Sequence, residues 1–585
     1  MAQLLLSSRF PRTLVQAGTL AAGVLALAAG TWGCETIPVR NCGAGQVYQD
    51  GECVVPHAVR VNSVGYFPDR AKVATYVGDS TSFRVKTLDG RVVLEGEASG
   101  EIRTRDTGEK VRHADFSELR DPGEYYLEVP GVGRSPEFRI ASDVFEKPLV
   151  ATLLGLYGQR CGTAVELEWD ETTFSHEVCH EKEPSLQFIE GADGTKDARG
   201  GWHDAGDYGR YTVNGAFAVA FVLKAYEDFP DRLAGLELPI PERGGDTPDV
   251  LDEARYQLEW LLKMQLADGS ASHKVTAQRF EGEILPENDG SALFFVPAGT
   301  AATANFAAAL ALAARVYEPF DAAFAERCLT AAQQAFDFLL ANREPITPDQ
   351  SQFSTGAYER PGYDDERAWA AAELWKTTGD AAALEEFELL FGELGFMMRR
   401  NFDWDDATNL ALLTYLSTER EGRDEAIVDG IRTMALNTAD SLVSDAQSHG
   451  YGRALGGLYY WGINGVLART AYNLIAAHRI EPDAKYLDAV TAQVDHLLGR
   501  NPYGRSYVTG VGYRPARFPH HRPSMAGGSA WPGLLIGGPH TGLQGEGREP
   551  VPEGLTWEDA SDNYRHNEVA INWNTALVYA LVASE

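Results

Sequence analysis

The chain of 585 residues is short of positive charge: 51 Lys and Arg stand against 84 Asp and Glu, a formal net charge of −33. That deficit argues against nucleic acid and anionic membrane surfaces as partners, since both attract basic patches. It suits a protein that handles neutral substrates. A membrane span is missing too. The apolar run from Leu14 to Ala29 falls short of the roughly 20 apolar residues a span needs. Cysteine is scarce, with 6 residues. Aromatics are not: 11 Trp, 24 Tyr and 25 Phe give a supply of flat faces on which sugar rings stack, although most of them are expected in the core. Hydrophobic content of 44% and charged content of 23% are those of a globular protein long enough for two or more domains.

Arg9 and Arg12 precede the apolar run, so residues 1–34 read as an export segment. Cys34 follows Thr31-Trp32-Gly33, and a small residue before a Cys resembles a bacterial lipoprotein processing site, although Thr31 stands where Leu is usual. The chain is therefore expected to be secreted, or anchored outside the cytoplasm by a lipid on Cys34, its one membrane attachment. Residues 35–56 read as a tether, with Cys42 and Cys53 flanking a turn-rich loop and expected to form a disulfide.

From 57 to 142 short alternating runs such as Val73–Val77 and Ser82–Thr87 are separated by turn signals such as Asp89-Gly90. This spacing predicts a small antiparallel β-sandwich without a catalytic constellation. From 143 to 585 the period becomes helical. It predicts twelve helices, over 145–158, 211–228, 247–266, 300–317, 321–342, 364–377, 380–400, 406–417, 423–444, 462–478, 483–499 and 567–583. Twelve helices suggest six hairpins in a closed ring, with an irregular bundle as the alternative. The long loops 160–210, 268–299, 343–362 and 501–565 are candidate functional segments.

Three of the segments carry chemistry. Gly200-Gly201-Trp202-His203-Asp204-Ala205-Gly206-Asp207 holds two carboxylates three residues apart in a glycine-rich loop, where they repel unless a water, a metal or a sugar uses them. Glu568 stands at the start of the predicted last helix, where partial desolvation raises a carboxyl pKa and suits it to donate a proton; a charge satisfying the helix dipole is the alternative. The loop Pro519-His520-His521-Arg522 offers donors to hydroxyl oxygens.

Together these segments resemble glycoside hydrolase family 9, the inverting β-glucanases. Trp557, Asp559, Tyr564, Glu568 and Asn574-Thr575 match around the last helix, Ser506 to Arg522 matches throughout, and the Asp-Ala-Gly-Asp core is intact. Asn62–Tyr66 and Ala114–Ser117 resemble the immunoglobulin-like module of one branch of the family. The resemblance implies a mainly α fold, an (α/α)6 barrel preceded by that module. It implies Asp207 as general base, Asp204 sharing and orienting the water, and Glu568 as general acid. It also implies His520 and Arg522 as ligands of substrate hydroxyls and Asp559 as the holder of the loop before the acid. Tyr460-Trp461 resembles a stretch that brings an aromatic platform to the cleft, although Ile463 departs from the usual Ser; Trp461 in the core is the alternative.

Cys161, Cys179, His180 and His203 form a possible set of two thiolates and two imidazoles, suited to a closed structural zinc site. A Cys161–Cys179 disulfide is the alternative, and the resemblance favours zinc. Asp364-Asp365-Glu366 with Asp405 resembles a family calcium site, against plain helix N-terminal acids. The expected activity is endo-β-1,4-glucanase action by a monomer on cellulose-like or mixed-linkage glucans. Because the chain stops just after its last predicted helix, soluble glucans are expected to be better substrates than crystalline cellulose. An exo-acting β-glucosaminidase on chitosan-type oligosaccharides and a non-catalytic sugar-binding lipoprotein are the competing readings.

Overall fold

The computed structural model describes residues 57–359, 362–541 and 551–585, together with the backbone of the paired strands Val47–Gln49 and Glu52–Val54. The export segment, Cys34 and Cys42 lie outside the described residues, as does the side chain of Cys53.

Two sheets pack face to face in the N-terminal part. One runs in the order Val59–Arg60, Val73–Val77, Lys110–Asp115, Ile102–Arg103. The other runs Gly65–Tyr66, Phe138–Ile140, Gly123–Val129, Ser82–Thr87, Val92–Glu97, with Gly133–Arg134 paired to Gly123–Val129. The strand period of two decides which side chains enter: Phe83 and Val85 are buried while Arg84 between them is exposed. Tyr66, Phe116 and Phe138 meet edge-on or tilted at the centre, with centroids 5.2 to 5.4 Å apart. This is the β-sandwich that the alternation predicts and that the resemblance implies as immunoglobulin-like, except that Gly65–Tyr66 pairs in parallel with Phe138–Ile140 and is not antiparallel.

Among the described residues twelve helices have ten residues or more: Glu146–Tyr157 (α1), Thr212–Asp228 (α2), Asp249–Met264 (α3), Thr300–Tyr317 (α4), Ala322–Ala341 (α5), Asp364–Thr378 (α6), Ala381–Leu394 (α7), Thr408–Ser417 (α8), Glu425–Ser448 (α9), Ile463–Ile480 (α10), Ala484–Leu497 (α11) and Ile571–Ala583 (α12). The even-numbered helices form an inner ring. α12 packs on α2, α2 on α4, α4 on α6, α6 on α8, and α10 on α12. Asn409 of α8 donates to Asn473 of α10 at 2.8 Å, closing the circle. The sequence explains the sorting. α2 and α12 are apolar on nearly every face and bury nearly every residue. α5, by contrast, buries Phe324, Ala325, Cys328, Ala331, Ala332, Ala335, Phe336 and Leu339, a three-to-four spacing that leaves one face wet.

The ends of the helices differ as well. Four outer helices, α5, α7, α9 and α11, start on an aspartate whose carboxylate accepts from a first-turn amide. No inner helix has a side-chain cap of that kind. The N-termini of α2, α4, α6 and α12 instead follow the long loops, so the positive ends of their dipoles collect where those loops meet. Towards the other end of the ring Lys224 of α2, Arg315 of α4 and Glu373 of α6 form a buried ionic knot, with contacts of 3.0 and 2.7 Å to Glu373. Two predicted helices are shorter than their periodicity suggests. The 380–400 run stops at Leu394, because Gly395 takes a left-handed conformation (φ 58°). The last helix begins at Ile571, three residues beyond Glu568.

The two parts share a polar seam. Asn62 donates to Asp495 at 2.9 Å, Thr75 donates to the Gly450 carbonyl at 2.8 Å, Arg500 donates to Thr75 at 3.1 Å, and Asp106 pairs with His449 at 3.1 Å. Burial pushes the Asp495 carboxyl up to about 7 against the pull of Arg500 and Asn62.

Candidate active site

A groove of about 510 Å³ opens at the N-terminal end of the inner ring, lined among others by Asp204, Asp207, Tyr358, Trp404, Trp461 and Glu568. Nearly every contributor stands just ahead of an inner helix. Asp204 and Asp207 precede α2, Tyr358 precedes α6, Asp403 to Asp405 precede α8, Tyr460 and Trp461 precede α10, and Glu568 precedes α12.

The two aspartates are held differently. Asp204 is buried, its carboxylate accepting from the Tyr358 hydroxyl at 2.5 Å and from Asn214 at 2.8 Å. Burial and the neighbouring Asp207 charge raise its pKa to about 7. Asp207 accepts from the Gly209 amide at 3.0 Å and the Tyr211 hydroxyl at 3.1 Å through one carboxylate oxygen. The loop between them is pressed against the His loop. A Cβ on Gly206 would come within 2.2 Å of the His520 carbonyl oxygen, so glycine is the residue that fits there. The Arg522 amide donates to the Gly206 carbonyl at 3.2 Å, which fixes the same contact.

Glu568 lies in extended backbone (φ −61°, ψ 152°) after the short turn Tyr564–Asn567, not in the last helix as the sequence pattern suggests. It bridges in parallel to His520, whose amide donates to the Asn567 carbonyl at 2.7 Å; on its other side the Gly537 amide donates to the Glu568 backbone carbonyl at 2.9 Å. Desolvation, with Asp207 and Asp204 adding like charge, holds its pKa well above the carboxylate range; Arg522 and a hydrogen bond with Trp461 pull the other way.

Asp559 does not line the groove. Its buried carboxylate meets Arg505 at 2.6 Å and accepts from the amides of Arg517 and Phe518 and from Asn567 at 2.9 to 3.2 Å. It ties the His loop to the segment that carries Glu568. His520 rests on the Ser561 carbonyl through Nδ1 at 2.7 Å, and His521 is buried against Ser524 and Gln159. Trp461 is 43% exposed, which rules out the core alternative, and its ring meets Tyr564 at 5.3 Å. Tyr460 lines the groove beside Asn401.

Several residues at the site have no precursor in the sequence reading. Tyr358 reaches Asp204 from a left-handed backbone (φ 48°), a costly position for an aromatic residue. Its ring packs on Trp404 and Tyr211 at 4.7 and 4.8 Å. Asp403 is held by Arg469 and Asn572, both at 2.9 Å. Glu281 pairs with Arg522 at 2.5 Å. All three sit in irregular loops, where no periodicity marks a residue.

Behind the aspartates the ligand atoms of Cys161, Cys179, His180 and His203 all lie within 4.8 Å of one another, the only such group among the described residues. Adjacent pairs are 3.5 to 4.0 Å apart. A tetrahedral ion with bonds of about 2.0–2.3 Å has edges of roughly 3.3–3.8 Å, so the four donors stand slightly wider than in a closed metal site and have the chemistry of one. Cys161 and Cys179 are free thiols, not the disulfide of the competing reading. His180 is oriented by Asp289 at 3.2 Å, the carboxylate–histidine arrangement of metal ligands. The expected calcium set is not gathered in this way. The Asp365 carboxylate accepts from the Ala407 amide at 2.7 Å, Glu366 is buried, and Asp405 is exposed at the groove.

The barrel and its carboxylate-lined, aromatic-walled groove define a helical-barrel glycoside hydrolase. The glycosyl hydrolase family 9 model matches residues 145–581, and a cellulase N-terminal ig-like domain matches 55–134. The chain belongs to glycosyl hydrolase family 9. It is 43% identical over 527 residues to endoglucanase D of Acetivibrio thermocellus, covering 89% of this chain and 82% of that one. A solved metagenome-derived family 9 endoglucanase superimposes with a TM-score of 0.84 at 37% identity, covering 90% of this chain and 99% of that one. A Zn-binding triple mutant of the family 9 endoglucanase J30 superimposes with a TM-score of 0.83 at 32% identity over 89% and 99% of the two chains.

Proposed function

We propose that the chain is an inverting endo-β-1,4-glucanase acting on cellulose-like or mixed-linkage glucans. The observation that carries the reading is one groove that holds a desolvated carboxyl, Glu568, together with the two aspartates of the loop ahead of α2. Glu568 is driven to keep its proton, which suits a general acid. Asp207 presents a carboxylate fixed by an amide and a phenol, which suits a base. Asp204 and Tyr358 hold the water that Asp207 deprotonates. That water attacks the anomeric carbon from the face opposite the leaving oxygen, and Glu568 gives its proton to that oxygen as the bond breaks. Inversion follows from the single displacement, which needs acid and base roughly 6.5–9.5 Å apart. His520 and Arg522 bind sugar hydroxyls, and Trp461, Tyr460 and Trp404 offer faces to the rings.

Cys161, Cys179, His180 and His203 would hold a structural zinc, which would supply rigidity and not chemistry. His203 carries that rigidity to Asp204, one residue on. The similarity to named endoglucanases favours glucan over glucosamine oligomers. The test is hydrolysis of cellohexaose followed by NMR and product length. Initial release of the α-anomer with internal cuts is expected, and β-anomer products or cleavage of glucosamine oligomers alone would overturn the reading.

A further inference from the structure

Glu281 lies in the long loop 268–299, outside the three segments whose residues marked the chemistry in the sequence. Its side chain is 5% exposed and that of Arg522 11% exposed, so the pair at 2.5 Å is largely shielded from water. The same carboxylate oxygen of Glu281 accepts from the Tyr208 amide at 3.1 Å. Tyr208 follows Asp207 directly, and its hydroxyl is anchored to the Ile284 carbonyl at 2.5 Å, three residues from Glu281. The Arg522 guanidinium also reaches the Glu281 carbonyl at 3.4 Å, while the Arg522 amide donates to Gly206. One acidic side chain thus joins the aspartate loop, the His–Arg loop and the loop that bears it. Phe280 beside it lines the groove, with its ring 5.8 Å from the Arg522 guanidinium.

We propose that Glu281 is a positioning residue: it fixes the Arg522 guanidinium in the orientation that grips a sugar and clamps the backbone that carries Asp207. This rests on the role given to Arg522 above. An arginine on a long flexible stem loses geometry when its fork has no fixed partner. Glu281 supplies that partner from inside the protein. The amide clamp on Tyr208 is a separate function of the same oxygen, and a neutral isostere preserves it. The two functions are therefore separable by substitution.

The test is a double-mutant cycle read in binding as well as turnover. Glu281→Gln keeps an acceptor for Tyr208 but loses the charge. It is expected to raise KM about tenfold with kcat within about threefold. In a Glu568→Gln background, which turns over little, it should weaken cellohexaose binding by calorimetry by a similar factor. With Arg522→Ala already present, Glu281→Gln should cost nothing further. Glu281→Ala removes the clamp too, and kcat/KM should fall by roughly 10². Glu281→Asp should rescue part of the loss. Unchanged binding in Glu281→Gln, or full additivity with Arg522→Ala, overturns the proposal while leaving hydrolysis by the parent intact. A parent that neither binds nor cleaves cello-oligosaccharides overturns the functional reading and this proposal with it. Melting curves taken alongside guard against misfolding, and the cycle rests on the isosteric variant if Glu281→Ala fails to fold.

Discussion

Glu568, the proposed proton donor, shows what a buried carboxyl gives up in stability. Its folded pKa is raised above the unfolded 4.5, so the native state binds more protons than the unfolded chain between those two values, and stability falls as pH rises through that window. Glu568→Gln should therefore cut kcat by about 10²–10⁴ and raise the melting temperature at pH 7 more than at pH 4. A variant with equal gains at both pH values would contradict the raised pKa. Tyr358→Phe removes the donor to Asp204 and should lower kcat by roughly tenfold with little change in KM, read from initial rates on a soluble glucan. The sequence made Asp204, Asp207 and Glu568 legible because acids among glycines and at an apolar boundary are unusual. It misplaced Glu568 on the helix because the apolar run that follows offers no visible start: Ala570 gives no side-chain cap. Tyr358 and Glu281 were illegible, since a lone Tyr or Glu in a loop has countless surface roles.

Elements were read better than their ends. α2, α4 and α12 are apolar nearly all round, and only a central position suits that pattern. The loops that carry the site hold their shape by hubs, not by period. Asp559 is the clearest: removing it takes the carboxylate from a buried Arg505 guanidinium, 1% exposed, that also donates to the Arg514 and Pro515 carbonyls. Asp559→Ala should destabilise by about 3–5 kcal/mol in urea titration, with loss of activity beyond what the unfolded fraction explains. The Cys161, Cys179, His180, His203 group is a second hub. Purified protein should contain about one zinc per chain, and Cys161→Ser or chelation should lower the melting temperature and kcat together. Metal analysis showing none would refute the site. These cysteines were visible in sequence, but only the fold brings His180 and His203 beside them.

At the scale of the molecule, the sandwich and barrel are joined by buried polar pairs. Burial raises the Asp495 carboxyl from 3.8 to about 7, so its ionisation weakens the native state as pH rises through that interval, and Asn62 offsets part of this by favouring the charged form. Asn62→Ala should cost about 1–3 kcal/mol, more at pH 8 than at pH 5, measured by chemical denaturation at both. Nothing in the sequence announced this pairing, because its partners stand more than 400 residues apart. Among the described residues no helix is long and apolar enough to cross a membrane.

That seam also bears on how such chains are recombined. Asp495, Arg500 and His449 on the barrel, with Asn62, Thr75 and Asp106 facing them, form a lock with a matching key. A graft that exchanges the small module for a foreign one would leave several of these groups stranded in a dry crevice. Exchanging the two parts therefore requires both faces of the joint to be carried over together.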